Sequence, residues 1–370
     1  MSNNTYREIF GNNPENISAK TPAGNIVTFD PEPLGQRIPL VFIPGNQVED
    51  FKTFPLAGYK CYGFDNYTFD PDKYKVYIFA WSGADKEKGI EDIAASLIEG
   101  IAKSPELSSA DRMFMSGISF GGIVARAAVN KSEEIAQKAG KIFTIATPHH
   151  GSPLTHPAWI AHVVQGKPLL KLVAKLHRSI FANARWAYDI ACDDYFSSQY
   201  EPVIPQKTID EVEAQMGDHG IKVTYPGSER YLKTLNSEDT HKGKVVAISV
   251  RHTKVAKRCL MDIVMAMASK LSKAMIPLPN DGLVPLASAR GDGLGFEQCI
   301  IEGPANHMDC VSDHRFTREI SEAIDARITM ERYPKRNAFV EHTPSHERTP
   351  ERTPALPTTA HKREDDEKVF

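Results

Sequence analysis

The stretch MFMSGISFGGIVAR, residues 113–126, decides the fold of this chain. An apolar run ends in a cluster of glycines around Ser119, and a helix-like apolar pattern begins directly behind it. The cluster contains the pentapeptide Gly-x-Ser-x-Gly, whose glycines are Gly117 and Gly121. Such a pattern arises by chance in about one chain in ten of this length, so its context has to decide what it means.

The context is a strand, a sharp turn and a helix. Residues 111–119 predict a buried strand, and residues 120–130 predict a helix that starts at the turn. A serine at such a corner stands clear of the backbone, and the small residues around it let strand and helix pass without a clash. The positive end of the new helix points to the serine and favours a developing oxyanion. The alternative is a glycine-rich packing corner without chemistry.

Short apolar runs alternate with helical patterns along the rest of the chain. Six runs predict buried strands: 38–45, 74–81, 111–119, 141–148, 244–250 and 296–303. Three amphipathic patterns predict helices: 88–104, 120–130 and 316–333. A small antiparallel hairpin is predicted at 16–32. The alternation is typical of an α/β protein with a mainly parallel sheet flanked by helices.

Two segments interrupt this alternation. Residues 151–240 form an insertion longer than a plain connection between two strands. Within it, residues 167–181 carry one apolar face, which favours a helical cap over the site; a core-facing helix and a lysine-mediated membrane-surface contact are the alternatives. The Met-rich segment 254–276 favours core packing. Residues 334–370 repeat ERTP and predict a disordered tail, so one domain is expected over 1–333.

The totals of the sequence argue against several classes of protein. A net charge of −3 gives no reason to expect a nucleic-acid partner. The five cysteines are scattered without a Cys-x-x-Cys pair, which favours a reducing compartment over a disulfide framework or a zinc site. The start lacks the pattern of a signal peptide, and no apolar run reaches about 18 residues. We therefore expect a cytoplasmic protein, with export by a route that needs no signal peptide as the alternative.

A serine hydroxyl is a weak nucleophile, so a base and an orienting acid should be present elsewhere. Where the serine occupies a strand–helix corner, the acid and then the histidine follow it in the chain. PLPNDGLVPLASAR (277–290) supplies Asp281, and IIEGPANHMDC (300–310) supplies His307 beyond the last predicted strand. The 26 residues between them leave room for one strand, so both should lie at the carboxyl edge of the sheet.

Other residues compete for these two roles. The alternative bases are His149, His150, His252 and His314. The sequence places His314 at the start of the last helix, and the pair at 149–150 follows a strand end. Asp292 competes with Asp281 for the acid, but it lies in RGDGLG, which is typical of a turn.

Five stretches together resemble the lipase branch of the α/β-hydrolase superfamily: PLVFIPGN, GISFGG, TIATPHHGSP, NDGLVPLASA and NHMD. They are particularly similar to bacterial triacylglycerol lipases and to esterases of the inositol-deacylase type. The resemblance covers roughly residues 38–150 and 231–330. It implies the α/β-hydrolase fold and a serine ester hydrolase that cleaves a lipid or acyl ester through an acyl-enzyme.

The resemblance also implies a role for each residue of the motifs. Ser119 is the nucleophile, His307 the general base, and Asp281 the acid that orients the imidazole. The backbone N–H groups of Phe120 and Asn46 would form the oxyanion hole. No cofactor is required by this reaction.

The sequence departs from these lipases in places. They usually carry His before the nucleophile, where this chain has Ile118, and often His-Gly where it has Pro44-Gly45. Some of them bind calcium through an aspartate two residues after the histidine, and Asp309 holds that place. Because no partner aspartate is recognisable, calcium remains an alternative to a metal-free site.

Three other functions remain open at this point. An acyltransferase or a thioesterase uses the same triad, and products formed with added alcohols would distinguish acyl transfer. A non-catalytic binding protein on a hydrolase scaffold would fail to react with a fluorophosphonate probe. A secreted lipolytic effector would be found outside its producing cell.

Overall fold

The computed structural model describes ten parts of the chain: residues 25–28, 30–45, 66–81, 88–152, 207–208, 211, 231–252, 279–303, 306–307 and 309–332. Several predicted segments lie outside the described residues: most of the cap at 151–240 with its segment 167–181, the segment 254–276, the first arm of the hairpin at 16–32, and the tail at 334–370. Contacts divide the chain into two units, Met1–Thr329 and Met330–Phe370. Of the second unit, the structure describes residues 330–332, which are helical.

The described strands form one seven-stranded sheet. Their bounds are Asn25–Val27 (β1), Ile38–Ile43 (β2), Tyr74–Ala80 (β3), Met113–Ile118 (β4), Ala139–Ile145 (β5), Val245–His252 (β6) and Glu297–Gly303 (β7). The strand order is β1-β3-β2-β4-β5-β6-β7. All neighbours are parallel except β1, which pairs antiparallel with β3. The predicted α/β class with a mainly parallel sheet is confirmed.

Helices cover both faces of this sheet. Their bounds are Ile90–Lys103 (α1), Pro105–Ser109 (α2), Phe120–Lys131 (α3), Glu133–Lys138 (α4), Tyr231–Glu238 (α5), Leu286–Arg290 (α6), Asp309–Ser312 (α7) and His314–Arg332 (α8), with a 3₁₀ turn at Lys242–Lys244. Val41 and Ile43 of β2 pack in the same cluster as α1 and α3, whereas Leu40 and Phe42 pack in the cluster of α8. Side chains of a strand alternate between its two faces, so a strand covered on both faces is apolar throughout.

The strands end where the backbone can no longer continue the sheet. β2 ends at Ile43 rather than at 45, since Pro44 has no N–H to donate. β4 and β5 end at Ile118 and Ile145, because Ser119 and Ala146 have φ values of 51° and 49°. Both left-handed residues therefore lie at the carboxyl edge of the sheet. No helix among the described residues is long and apolar enough to cross a membrane.

Candidate active site

Ser119 occupies the turn between β4 and α3. It is the N-cap residue of α3, with φ 51° and ψ −124°, a conformation that a residue with a Cβ rarely adopts. Its backbone N–H donates to the carbonyl oxygen of Ile145, 2.7 Å away, at the end of the neighbouring strand β5. The strained serine is thus held by the adjacent strand end.

The glycines around Ser119 allow a close approach of backbone to backbone. A Cβ on Gly121 would lie 2.5 Å from the carbonyl oxygen of Pro44 and closer still to that of Ile43. A Cβ on Gly117 would lie 2.5 Å from the backbone of Gly121. The glycines therefore serve both close packing and the presentation of Ser119. The two interpretations are compatible, because the close packing of strand and helix is what allows the sharp turn at the serine.

Ser119, His307 and Asp281 meet in a continuous chain of hydrogen bonds. His307 Nδ1 lies 2.7 Å from Asp281 Oδ2, and His307 Nε2 lies 2.9 Å from Ser119 Oγ. A carboxylate only accepts hydrogen bonds, so Nδ1–H donates to Asp281 and Nε2 is left to accept the serine hydroxyl. The structure brings together the three residues that the sequence analysis selected.

The carboxylate of Asp281 is held from its other side by its own loop. Asp281 Oδ1 accepts from the N–H of Leu283 at 3.0 Å and from that of Val284 at 2.7 Å. Its carbonyl oxygen accepts from the N–H of His307 at 2.8 Å. One carboxylate oxygen therefore fixes the turn while the other faces the imidazole, which explains why an aspartate suits the sequence NDGLV.

The alternative bases and the alternative acid belong to other elements of the fold. His314 begins α8 and is exposed, as the sequence predicted. His252 ends β6. Asp292 pairs with Arg290 in the glycine-rich turn, and its carbonyl oxygen lies 2.8 Å from Nε2 of His150. These contacts are structural and involve none of the three residues of the hydrogen-bonded chain.

His149 is fully buried and uses both ring nitrogens. Nδ1 lies 3.1 Å from Arg126 Nη1, and Nε2 lies 2.8 Å from Thr144 Oγ1. Because an arginine only donates, Nδ1 accepts and Nε2 carries the proton. Burial, the charge of Arg126 and that of His150 lower the pKa of His149 well below its ordinary value of 6.5. His149 is therefore a neutral structural residue.

Arg126 is the centre of a buried network that the sequence analysis did not find. Its guanidinium donates to Asp239 Oδ2 at 2.9 and 3.1 Å and to Asn236 Oδ1 at 3.0 Å. It connects the serine helix α3 with His149, which precedes the long insertion, and with Asn236 and Asp239, which lie at the end of that insertion. The signal in the sequence was an arginine within the otherwise apolar run GGIVARAAV.

Of the two predicted oxyanion donors, the structure describes Phe120 but not Asn46. Phe120 is the first residue of α3, and its ring packs against Trp81 with centroids 5.2 Å apart. Trp81 Nε1–H donates to the carbonyl oxygen of Pro44 at 3.1 Å, and a Cβ on Gly45 would lie 3.2 Å from Ser119 Cβ. The chain after β2 therefore runs beside the serine. Asn46 lies outside the described residues.

Asp309, the calcium candidate, takes part in the loop that carries His307. Its Oδ2 accepts from the N–H of Asn306 at 2.8 Å, and its own N–H donates to Asn306 Oδ1 at 3.2 Å. Within the described residues, no group of three or more His, Cys, Asp or Glu side chains could hold a metal ion.

Comparisons with known proteins agree with this fold. A family model described as a PGAP1-like alpha/beta domain matches residues 89–167, which include β4, Ser119 and α3. No curated protein matches the chain. The strand order and the serine turn confirm the predicted α/β-hydrolase fold, and the matched domain supports the resemblance to the lipase and esterase branch.

Several solved structures are similar to the chain at low sequence identity. Mature Bacillus licheniformis lipase BlEst2 has 14% identity and a TM-score of 0.49, covering 82% of this chain and 99% of that one. The Staphylococcus hyicus lipase has 13% identity and a TM-score of 0.44, with 82% and 99% covered. The metagenomic carboxyl esterase MGS0156 has 15% identity and a TM-score of 0.44, with 80% and 77% covered.

Proposed function

Because the chain has the α/β-hydrolase fold, we propose that it is a serine carboxylic-ester hydrolase of the lipase or esterase type. The observation that carries this proposal is the hydrogen-bonded chain from Asp281 through His307 to Ser119 at the carboxyl edge of the sheet. A serine within reach of a base that is itself oriented by a carboxylate is the arrangement that activates a hydroxyl for acyl transfer.

In the acylation step, Ser119 Oγ attacks the ester carbonyl carbon while His307 Nε2 takes the hydroxyl proton. Asp281 keeps Nδ1–H in place and stabilises the imidazolium that forms. The tetrahedral oxyanion is assigned to the backbone N–H of Phe120, at the positive end of α3, and to that of Asn46. When the intermediate collapses, the imidazolium gives its proton to the leaving alcohol and Ser119 remains acylated.

The deacylation step uses the same groups in the same order. His307 Nε2 takes a proton from a water molecule, whose oxygen attacks the acyl carbon. The second tetrahedral intermediate collapses, the carboxylic acid leaves, and the proton returns to Ser119 Oγ. The reaction needs no cofactor.

The proposed substrate is a lipid or a long acyl ester, with phospholipids included. The support for this choice is the apolar face of residues 167–181, which lie between strands β5 and β6 in the chain. An apolar segment inserted between two strands of the sheet suits an acyl chain better than a small polar ester. Contact of this segment with a membrane surface belongs to the same proposal.

The test is Ser119→Ala, assayed on nitrophenyl esters of graded chain length and with a fluorophosphonate probe. We expect kcat to fall by about 10⁶-fold and labelling to disappear. Ser116→Ala is the matched control, because Ser116 Oγ is buried on β4, three residues before Ser119, without a hydrogen-bond partner among the described residues. Undiminished hydrolysis by Ser119→Ala would remove Ser119 as the nucleophile.

Two further readouts separate the related functions. Products formed with added alcohol acceptors distinguish hydrolysis from acyl transfer, and a matched pair of ester and thioester substrates identifies a thioesterase. A wild-type protein that neither turns over esters nor reacts with the probe would be a binding protein on a hydrolase scaffold.

A further inference from the structure

The helix α7, Asp309–Ser312, begins two residues after His307 and contains only four residues. Helix formation is cooperative, so a single turn is unstable alone. The first N–H and the last C=O groups of a helix have no partners within it. The position of His307 therefore depends on the groups that hold this turn at both ends.

The N-terminal end of α7 is held by residues on both sides of His307. Asn306 N–H donates to Asp309 Oδ2, and Asp309 N–H donates to Asn306 Oδ1, at 2.8 and 3.2 Å. Both residues are buried. This reciprocal pair resembles a capping box and places a carboxylate at the positive end of the turn.

The C-terminal end of α7 is held by two consecutive residues from another part of the chain. Asn66 Nδ2 donates to the carbonyl oxygen of Val311, and Tyr67 Oη donates to that of Cys310, each at 2.6 Å. Tyr67 is fully buried, and this burial raises the pKa of its hydroxyl well above the ordinary value. The hydroxyl therefore stays protonated and remains a donor.

The segment that carries Asn66 and Tyr67 is itself fixed to both the sheet and α8. The ring of Tyr67 lies between those of Phe42 and Phe69, with centroids 5.5 and 6.1 Å away. The N–H of Thr68 donates to Ser321 Oγ of α8 at 3.0 Å. The two donors are thus held by apolar packing on one side and by a helix on the other.

We propose that Asn66 and Tyr67 are positioning residues for His307. They cap the one-turn helix after the histidine, and so keep Nε2 at hydrogen-bond distance from Ser119 Oγ. Neither residue belongs to the hydrogen-bonded chain of Asp281, His307 and Ser119. The kinetic test of this inference rests on the proposed function, because it measures ester hydrolysis. A misplacement of about 1 Å at a reacting group lowers the rate by up to about 100-fold, so a displaced His307 should slow the reaction.

The kinetic test compares Tyr67→Phe with Tyr74→Phe. Tyr74 is also fully buried, but its hydroxyl donates to Asp325 Oδ1 on α8, at 2.7 Å, rather than to α7. Each variant loses one buried hydroxyl, so both should melt at a similarly lowered temperature. We expect kcat to fall about tenfold in Tyr67→Phe with little change in KM, and to stay within about twofold in Tyr74→Phe.

A second readout does not depend on turnover. The Nδ1 proton of His307, shared with Asp281, should give a far-downfield proton NMR signal that His307→Gln abolishes. We expect this signal to shift or broaden in Tyr67→Phe and to persist in Tyr74→Phe. Should wild-type protein show the signal without hydrolysing any ester, the proposed function fails while the positioning role is still measured.

Two outcomes would overturn the inference. One is a folded Tyr67→Phe protein with the wild-type kcat and the wild-type downfield signal. The other is a Tyr74→Phe protein that loses as much kcat as Tyr67→Phe, because the loss would then follow from a lost buried hydroxyl in general. If Tyr67→Phe does not fold, Asn66→Ala takes its place in both measurements, since Asn66 is only partly buried and donates to the same helix.

Discussion

Ser119 and His307 lie 2.9 Å apart, yet the protein holds them by different means. On the serine side, small residues let α3 approach the ends of neighbouring strands so closely that a Cβ on Gly121 would clash with backbone oxygens. On the histidine side, polar side chains hold the loop, and Tyr67 reaches Cys310 across 243 residues of sequence.

The two sides should respond differently to mutation. Steric contacts between backbones allow no adjustment, so a change on the serine side should act on the fold first. A single hydrogen bond contributes about 1 kcal/mol, so a change on the histidine side should leave the fold intact and act on the chemistry.

On the histidine side, Asp281→Asn should lower the catalytic rate without lowering the stability of the fold. An asparagine keeps an oxygen for the N–H groups of Leu283 and Val284, but it can present an N–H to Nδ1 of His307 and favour the wrong imidazole tautomer. We expect kcat to fall about 10⁴-fold with the melting temperature nearly unchanged. The measurement is kcat with a melting curve, and Asp292→Asn is the control. A loss smaller than tenfold would mean that Asp281 does not orient the base.

Gly121→Ala should destabilise the fold on the serine side. The added methyl group would be forced against the carbonyl oxygens of Ile43 and Pro44, and neither backbone can give way. We expect the free energy of unfolding to fall by about 3 kcal/mol or more, as measured with urea. Gly243→Ala is the control, since a Cβ there meets nothing within 4 Å. Equal stability of the two variants would contradict the steric account.

His149, which contacts Arg126 on the serine side, should make the stability of the fold depend on pH. Its pKa is lowered in the folded protein, chiefly by burial, so below its ordinary value of 6.5 the unfolded chain binds the proton more readily. Stability should therefore decrease as the pH falls below that value, by at most about 1.4 kcal/mol per pH unit from this group. Urea unfolding at several pH values would measure this slope.

Two variants sharpen the pH measurement. His149→Gln should have a shallower slope than the wild type, because the titrating group is gone. His314→Gln, which changes an exposed residue of α8, serves as the control. Parallel slopes for the wild type and His149→Gln would show that this histidine does not contribute to acid sensitivity.

Much of the site could be predicted because its signals are local. The strand–glycine–serine–helix pattern around Ser119 lies within about fourteen residues, and NDGLVP and NHMD each identify a loop. Arg126 left a weaker signal, a charge within an apolar helix. Asn66 and Tyr67 left none, because DNYTFD contains nothing that indicates which distant carbonyl groups they will meet.

Local patterns in the sequence were enough to predict the parallel sheet, the serine turn and the three residues that meet at the edge of the sheet. Hydrophobic spacing and glycine placement act over a few residues, so they can be interpreted without knowing the fold. Tertiary packing alone makes His149 a neutral partner of Arg126, and it brings Asn66 and Tyr67, which precede β3, to the carbonyl groups of α7. Those contacts join residues far apart in the chain, and their partners exist only after the sheet and its helices have packed.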